Sequence, residues 1–391
     1  MILDKTFPPD PRVENEAVTL AQQGHEVHLY CMQFTHGRPE SEVYKGIHIH
    51  RFQFSTWVNK LSALAYTLPF YHLMLQRSLS TFISEHQIEA LHVHDMQVAR
   101  AVFWANRSFN LLVTLDLHEN RPEIMKHYSH VNSGLGKWLI SPIRWKHFEY
   151  RYIQKADRVI VVTEDARDHY VKAVPVKKEK FHVVPNTVRS EFYTDHIVDK
   201  SIIHRYKAHF TLLYLGDTGL RRGLVTLIES LEFLIPQIPE IKVVIVGQSK
   251  ADAHLKDLIT ERQWQNFVDL EGWQDVSLFP SYIMAADLGV SPLHRNLHHD
   301  TTYANKLFQY MAFGKPLIVS DSTAQRRLVQ RYDTGQVFED RNAKDLAAKV
   351  MRLYSDEALY SDQSKNAVQA IQEELKWDIL SRTLLDIYEG N

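Results

Sequence analysis

The stretch at 291–321 reads SPLHRNLHHDTTYANKLFQYMAFGKPLIVSD. It divides into three pieces. An apolar strand ends at Ser291-Pro292-Leu293, a polar, histidine-rich loop follows over 294–302, and a helix begins near Tyr303. That helix closes at Ala312-Phe313-Gly314-Lys315-Pro316, ahead of a new apolar strand, Leu317-Ile318-Val319. Gly314 stands where a left-handed helix C-cap belongs, and Pro316 forbids continuation. A polar loop between the C-terminal end of a strand and a helix N-terminus is where open α/β sheets hold ligands, anions above all.

The same rhythm extends upstream. Phe210-Thr211-Leu212-Leu213-Tyr214-Leu215-Gly216 and Ile241-Lys242-Val243-Val244-Ile245-Val246-Gly247 read as strands, each followed by a helix, and Leu288-Gly289-Val290-Ser291 leads into the opening stretch. The N-terminal half repeats the pattern at 25–30, 90–95, 111–115, 158–163 and 181–186, with a short apolar start at Met1-Ile2-Leu3. That start is either a short strand or the remainder of a longer one. Continuous apolar strands alternating with helices specify parallel sheets covered on both faces. Residues 187–209 lose the pattern and read as a linker. The expected fold class is α/β, with two doubly wound Rossmann-like domains facing a central cleft. Their bounds are 1–195 and 196–375, and a final helix at 376–391 crosses back to the first. Polar strand ends (Asp95, His118, Thr163, Asn186, Gly216, Gly247, Pro292) then line a two-substrate cleft.

Composition narrows the class. At 391 residues the chain exceeds one ordinary core, which favours two domains. A formal charge of -2 gives no general attraction to nucleic acid. One cysteine, Cys31, excludes an internal disulfide and fits a reducing compartment. No stretch has the length of uncharged apolar sequence that a membrane span needs, and no export leader opens the chain. The 22 histidines are scattered and form no tight ligand motif such as HExxH. Two segments read as helices packed on the sheet or as surfaces touching lipid. One is the apolar run at 61–82. The other is the helix at 138–156, with Trp138, Trp145, Lys137, Arg144 and Lys146 as candidate membrane-facing residues.

In order along the chain stand Asp116-Leu117-His118-Glu119, then Ala156-Asp157-Arg158-Val159-Ile160-Val161-Val162-Thr163, then Val183-Val184-Pro185-Asn186. Gly216-Asp217-Thr218-Gly219-Leu220-Arg221-Arg222-Gly223 and the run from Lys306 to Pro316 follow. Together with Phe7-Pro8-Pro9-Asp10-Pro11-Arg12-Val13, this ordered set resembles the retaining GT-B glycosyltransferases of family four, the group-1 glycosyltransferases. The resemblance implies a nucleotide diphosphate sugar held by the C-terminal domain and a glycan or lipid-linked acceptor held by the N-terminal one. Cofactor and catalytic metal are expected to be absent, so cations and backbone N–H groups must stabilise the leaving diphosphate.

Residue by residue, the resemblance assigns His118 to the active-site histidine and Arg222 to the phosphate cation ahead of Gly223, with Arg221 as its substitute. Lys306 is a candidate for a further positive charge. The expected donor set is Gly216, Asp217, Gly219, Arg221, Gly247, Asp300, Thr301, Thr302, Asn305 and Gln309. The expected acceptor set is Arg12, Asp95, Glu119 and Asn186. Three departures stand out. Asp217 replaces the family's arginine, and Thr301 and Gln309 occupy the positions of its two glutamates. Gln309 keeps a carbonyl acceptor but loses the charge. The implied setting is cell-surface polysaccharide or lipopolysaccharide assembly, in the cytoplasm and in peripheral contact with the inner face of a membrane. The rival reading is a non-catalytic GT-B scaffold with a degenerate donor site.

Overall fold

The structure is a computed structural model describing residues 1–35, 37–126, 131 and 136–389. It divides into two compact units, Met1–Pro185 with Ser381–Asn391, and Asn186–Leu380. The boundary expected at 195 therefore falls inside the second unit. The expected linker is ordered there, with helices at Glu191–Thr194 and Lys200–Tyr206, and it buries Val188, Ile202 and Tyr206 in the second unit's core. Phe192 and Tyr193 pack against the same core, so a few apolar side chains within a polar segment dock it.

The first unit carries eight strands: β1 Ile2–Leu3, β2 Val27–Gln33, β3 Ser41–Tyr44, β4 Ile47–Gln53, β5 Ala90–His94, β6 Leu112–Leu117, β7 Arg158–Val161 and β8 Phe181–Val183. Their order is β3-β4-β2-β1-β5-β6-β7-β8, and every pairing is parallel except β3 with β4. The edge strand β3 was not expected. It turns back on β4 through Lys45 and Gly46, both at positive φ. Short β1 sits at the sheet's centre, between β2 and β5, where the direction of winding reverses. Loops after these two strands are thereby placed at a topological switch point, the usual ligand position of such sheets.

The second unit carries β9 Phe210–Leu215, β10 Ile241–Val246, β11 Val268–Gly272, β12 Leu288–Ser291, β13 Leu317–Ser320 and β14 Gly335–Phe338. Their order is β11-β10-β9-β12-β13-β14, all parallel. Leu213, Leu215, Val244 and Val246 join one core cluster, and Leu212, Tyr214, Val243 and Ile245 join another. Alternate side chains fill opposite faces, which is why these strands read as unbroken apolar runs. The switch point here lies between β9 and β12.

Two helical expectations change. The run at 138–156 is not one helix: Ser141 caps a helix over Pro142–Lys155, its hydroxyl accepting from the Arg144 N–H at 3.2 Å, and proline is accommodated at that helix's start. The loop at 294–302 contains a short helix, Leu297–Thr301, and the next helix begins at Asn305 rather than Tyr303.

Candidate active site

In the first unit the site begins at Asp10, whose carboxylate caps the helix Pro11–Gln22 by accepting from the N–H groups of Arg12 and Val13, both at 3.1 Å. The cap fixes the first turn, and Arg12 and Glu16, four residues apart, share its inward face. Opposite them, β5 turns His92 and His94 to one side of the sheet, and parallel pairing sets His94 against Asp116 of β6.

Asp116 is the hub. Its carboxylate takes Arg12 Nη2 at 2.6 Å and Nε at 2.8 Å, His94 Nδ1 at 3.1 Å and His118 Nδ1 at 3.3 Å. Burial alone would raise it; Arg12 first, and then the two histidines, hold it well below the usual carboxylate range. Arg12 Nη2 also meets Glu16 at 2.9 Å, and Nη1 donates to the Val184 carbonyl at 3.0 Å. The structure thus corrects the assignment of Arg12 to acceptor binding. Its guanidinium is buried and committed to Asp116, Glu16 and backbone.

His118 Nδ1 faces Asp116, while Nε2 lies 3.3 Å from Asp95 Oδ2. Burial opposes its positive charge, but the Asp95 and Asp116 carboxylates prevail and push it up to about 9. Asp95 itself is raised to about 7, chiefly by burial. Its backbone is also unusual, with φ 63° and ψ 160°, outside the regions that non-glycine residues favour. Such strain collects at functional positions. Asp95 and His118 therefore meet as a buried ion pair, with both imidazole nitrogens turned to carboxylates. Glu119 lies 3.5 Å from Arg121, whose other arm donates to Gln97. Asn186, expected in the acceptor set, is the first residue of the second unit.

Sequence reasoning missed Glu16, His92 and His94. The alternation His92-Val93-His94 was the available signal, since it places both imidazoles on one face. Nothing local announced Tyr388, which approaches from the last helix, Arg382–Glu389, to place its hydroxyl 2.7 Å from His92 Nδ1.

In the second unit the site is built on glycine. Gly223 is left-handed at φ +75°, and a Cβ there would lie 1.7 Å from the Pro292 carbonyl oxygen. Gly247, at φ +143°, would meet the Gly216 carbonyl at 1.9 Å. The loop 216–223 can therefore lie directly on the ends of β10 and β12 only because side chains are missing at these points. Gly247 is required by this close packing.

The loop carries Asp217, Arg221 and Arg222. Arg222 Nε donates to Asp217 Oδ2 at 3.1 Å, and Arg221 Nη2 lies 3.9 Å from the same oxygen. Gly219 packs against that carboxylate. The aspartate that replaces an expected arginine has thus drawn both remaining cations onto itself. Arg221 also reaches His299 Nε2 at 3.1 Å.

Lys306, in the first turn of the helix Asn305–Ala312, is buried at 8% exposure. Its ammonium sits 3.3 Å from the centre of the Tyr214 ring and lies alongside Gly216. Burial, and then Arg222, pulls it well below the ordinary lysine range. Among the described residues no carboxylate stands within ion-pair distance of it. Gln309 is half-buried one turn further along this helix, and Asn305 is exposed.

Three expected donor contacts are corrected. The Thr301 hydroxyl donates to the Leu297 carbonyl at 2.7 Å, and that of Thr302 donates to His298 at 2.7 Å, so both turn back onto their own short helix. Asp300 accepts from the N–H of Thr323 at 2.7 Å and meets Arg295 at 3.4 Å, which commits it to the start of the helix Thr323–Tyr332. A threonine hydroxyl near a helix C-terminus readily donates to the carbonyl four residues back, and a carboxylate beside free helix N–H groups is drawn to them.

The family models agree with this division. Residues 198–370 match the model described as glycosyl transferases group 1, and residues 9–187 match that of the glycosyl transferase 4-like domain. The chain belongs to the group 1 glycosyl transferases. The alpha-D-kanosaminyltransferase of Streptomyces kanamyceticus is 22% identical over 288 residues, 71% of each chain. Sucrose-phosphate synthase from Thermosynechococcus elongatus superposes with a TM-score of 0.79 at 17% identity, covering 100% of this chain and 98% of that one. Anabaena HepE in complex with UDP-glucose gives 0.72 at 15% identity, covering 100% and 99%. This group 1 transferase therefore has the GT-B fold, two parallel-sheet α/β domains.

Proposed function

We propose that the protein is a retaining glycosyltransferase that moves a sugar from a nucleotide diphosphate donor, bound by the second unit, to a lipid-linked or glycan acceptor bound by the first. The buried Lys306 ammonium carries the reading. A cation out of water without a carboxylate partner is costly, and a diphosphate arriving over Gly216 removes that cost. Likeness to a protein solved with UDP-glucose supports a nucleotide sugar.

In the proposed reaction the bond from the anomeric carbon to the diphosphate breaks. A bond to the acceptor oxygen forms on the same face, and the acceptor's proton passes to the leaving phosphate. Lys306 and Arg222 stabilise the charge that develops on that phosphate, so the proposal assigns no role to a cofactor or divalent metal. His118, raised to about 9 by the Asp95 and Asp116 carboxylates, is assigned the role of a positive charge in the first unit rather than that of a base.

A lipid-linked acceptor is supported by the first unit's surface. Trp57, Phe70, Leu73 and Met74 are exposed on helices Thr56–Ser62 and Phe70–Glu85, and Trp138 and Ile143 are more than four-fifths exposed nearby. The Thr67 hydroxyl joins the two regions through the Leu139 carbonyl at 2.6 Å. Lys60 and Arg144 add positive charge. Beneath lies a cavity of about 550 Å³ whose walls include Leu64, Met125, Ile140 and Trp145, with Gln97 and Arg121 as polar members. Trp145, expected at the membrane, is instead buried against Tyr66, and Lys146 pairs with buried Glu149. The Lys137 side chain lies outside the described residues. Among the described residues no helix is long and apolar enough to cross a membrane. Peripheral contact at the cytoplasmic face, in cell-surface polysaccharide or lipopolysaccharide assembly, is the corresponding setting.

One observation favours the scaffold alternative: Asp217 neutralises the arginines that would meet phosphate. Thermal denaturation with UDP, GDP, ADP and dTDP, followed by hydrolysis of the matching nucleotide sugars, separates the two. Stabilisation by one nucleotide and turnover of its sugar support transfer; failure of every nucleotide to shift the melt rejects it.

A further inference from the structure

The histidines that looked scattered in the sequence converge at a second place. His28 of β2 pairs in register with His48 of β4, and His50, two residues along β4, projects from the same face. His86 joins them at the C-cap of the helix Phe70–Glu85, whose Phe82 packs edge-on against His50. Ring centres of His28 lie 4.9 Å from His48, 5.2 Å from His50 and 4.9 Å from His86, and those of His50 and His86 are 4.1 Å apart. One ring nitrogen from each of His28, His50 and His86 falls within 4.8 Å of the others.

We propose that His28, His50 and His86 form a binding site for a borderline divalent transition metal, with zinc as the reference ion. Imidazole nitrogens suit that class of ion, and bonds of about 2.0–2.1 Å bring ligating nitrogens to roughly the spacing this cluster has. His28 Nδ1 and His50 Nε2 already lie 3.0 Å apart, one sharing a proton with the other; a metal takes that proton's place. His28 Nε2 lies 3.0 Å from Glu26 Oε1, the carboxylate–histidine arrangement that fixes a tautomer with Nδ1 free to ligate. His28 and His86 also line a cavity of about 540 Å³ that includes Glu26 and Glu85, leaving room for a water or carboxylate as fourth ligand.

The cluster stands at the beginnings of β2 and β4, whereas Asp116 and His118 stand at the end of β6, so the metal takes no part in sugar transfer. Its work is to pin the end of a helix to the sheet. That helix presents Phe70, Leu73 and Met74 on its outer side. The buried quartet Glu16, His92, His94 and Asp116 also has ligand spacing, but the Arg12 guanidinium already occupies it.

Tag-free protein, stripped with EDTA and dialysed, is titrated with zinc chloride against a chromogenic chelator and melted with and without the ion. The site predicts one competing equivalent and a raised midpoint. His50→Asn and His86→Asn should each weaken zinc binding more than about tenfold and abolish the shift, whereas His147→Asn, an exposed control, retains both. His86 is half-buried at a helix end, so its variant tests the site even if His50→Asn folds poorly. Absence of competition by the stripped protein overturns the proposal, as does binding that survives His86→Asn unchanged.

Discussion

Arg12 and Asp116, 104 residues apart, form a two-pronged ion pair in the interior of the first unit, with Nη2 2.6 Å from Oδ1 and Nε 2.8 Å from Oδ2. The pair makes an arginine in the first turn of the helix Pro11–Gln22 the support of the buried charges around His118. Asp116 stays ionised because of Arg12, and His118 stays protonated in part because of Asp116.

Arg12→Met therefore leaves Asp116 and Glu16 buried without their guanidinium. Breaking a buried pair from one side typically costs about 3–5 kcal/mol. Urea denaturation should show a loss of that order, and a variant within 1 kcal/mol of the parent, on the order of an exposed pair, would remove Arg12 from this role.

Lys306→Met should behave in the opposite way. It replaces a buried cation with an apolar side chain of similar length over the Tyr214 ring, so the nucleotide-free protein should be at least as stable. Stabilisation by nucleoside diphosphate should vanish. Isothermal titration beside a thermal melt reads both effects, and retained nucleotide affinity would exclude Lys306 from phosphate binding.

Asp217→Asn removes the carboxylate charge from Arg222 Nε and from beside Arg221. Because Asp217 is exposed, the gain is screened, and an improvement of about 0.5–1 kcal/mol in nucleotide affinity is expected, roughly two- to fivefold. Weaker binding in this variant would mean that Asp217 itself meets the donor.

The His118–Asp95 pair sets a pH dependence. His118 is raised from 6.5 to about 9, so its contribution is complete below pH 6.5 and is lost as pH climbs through about 9. Asp95, raised from 3.8 to about 7, acts in the same sense below that value, since its ionised form is the disfavoured one. The unfolding free energy from urea denaturation should therefore decline between pH 6.5 and 9, by about 3–4 kcal/mol at most, and His118→Gln should flatten the decline. An unchanged slope in that variant would place the titration elsewhere.

Legibility differed between the halves of the site. The loop 216–223 and the helix carrying Lys306 were readable because glycines, arginines and an apolar strand stand close together in the chain. Yet the partners that Thr301 and Asp300 take, the Leu297 carbonyl and the Thr323 N–H, were not legible, for they exist only once Leu297–Thr301 coils and 323–332 packs beside it. The segment 187–209 looked like a linker by polarity, and Val188, Ile202 and Tyr206 found a core that no local pattern reveals.

By itself the sequence determined the alternating strands and helices, the stop at Gly314 and Pro316, and the glycine-built loop, since each depends on backbone conformation and periodicity among near neighbours. Tertiary structure alone decided which charges meet: Arg12 with Asp116, both arginines with Asp217, Tyr388 with His92, and three distant histidines with one another. Those encounters follow from strand register and helix docking, which bring residues together across tens to hundreds of positions and leave no local trace in the chain.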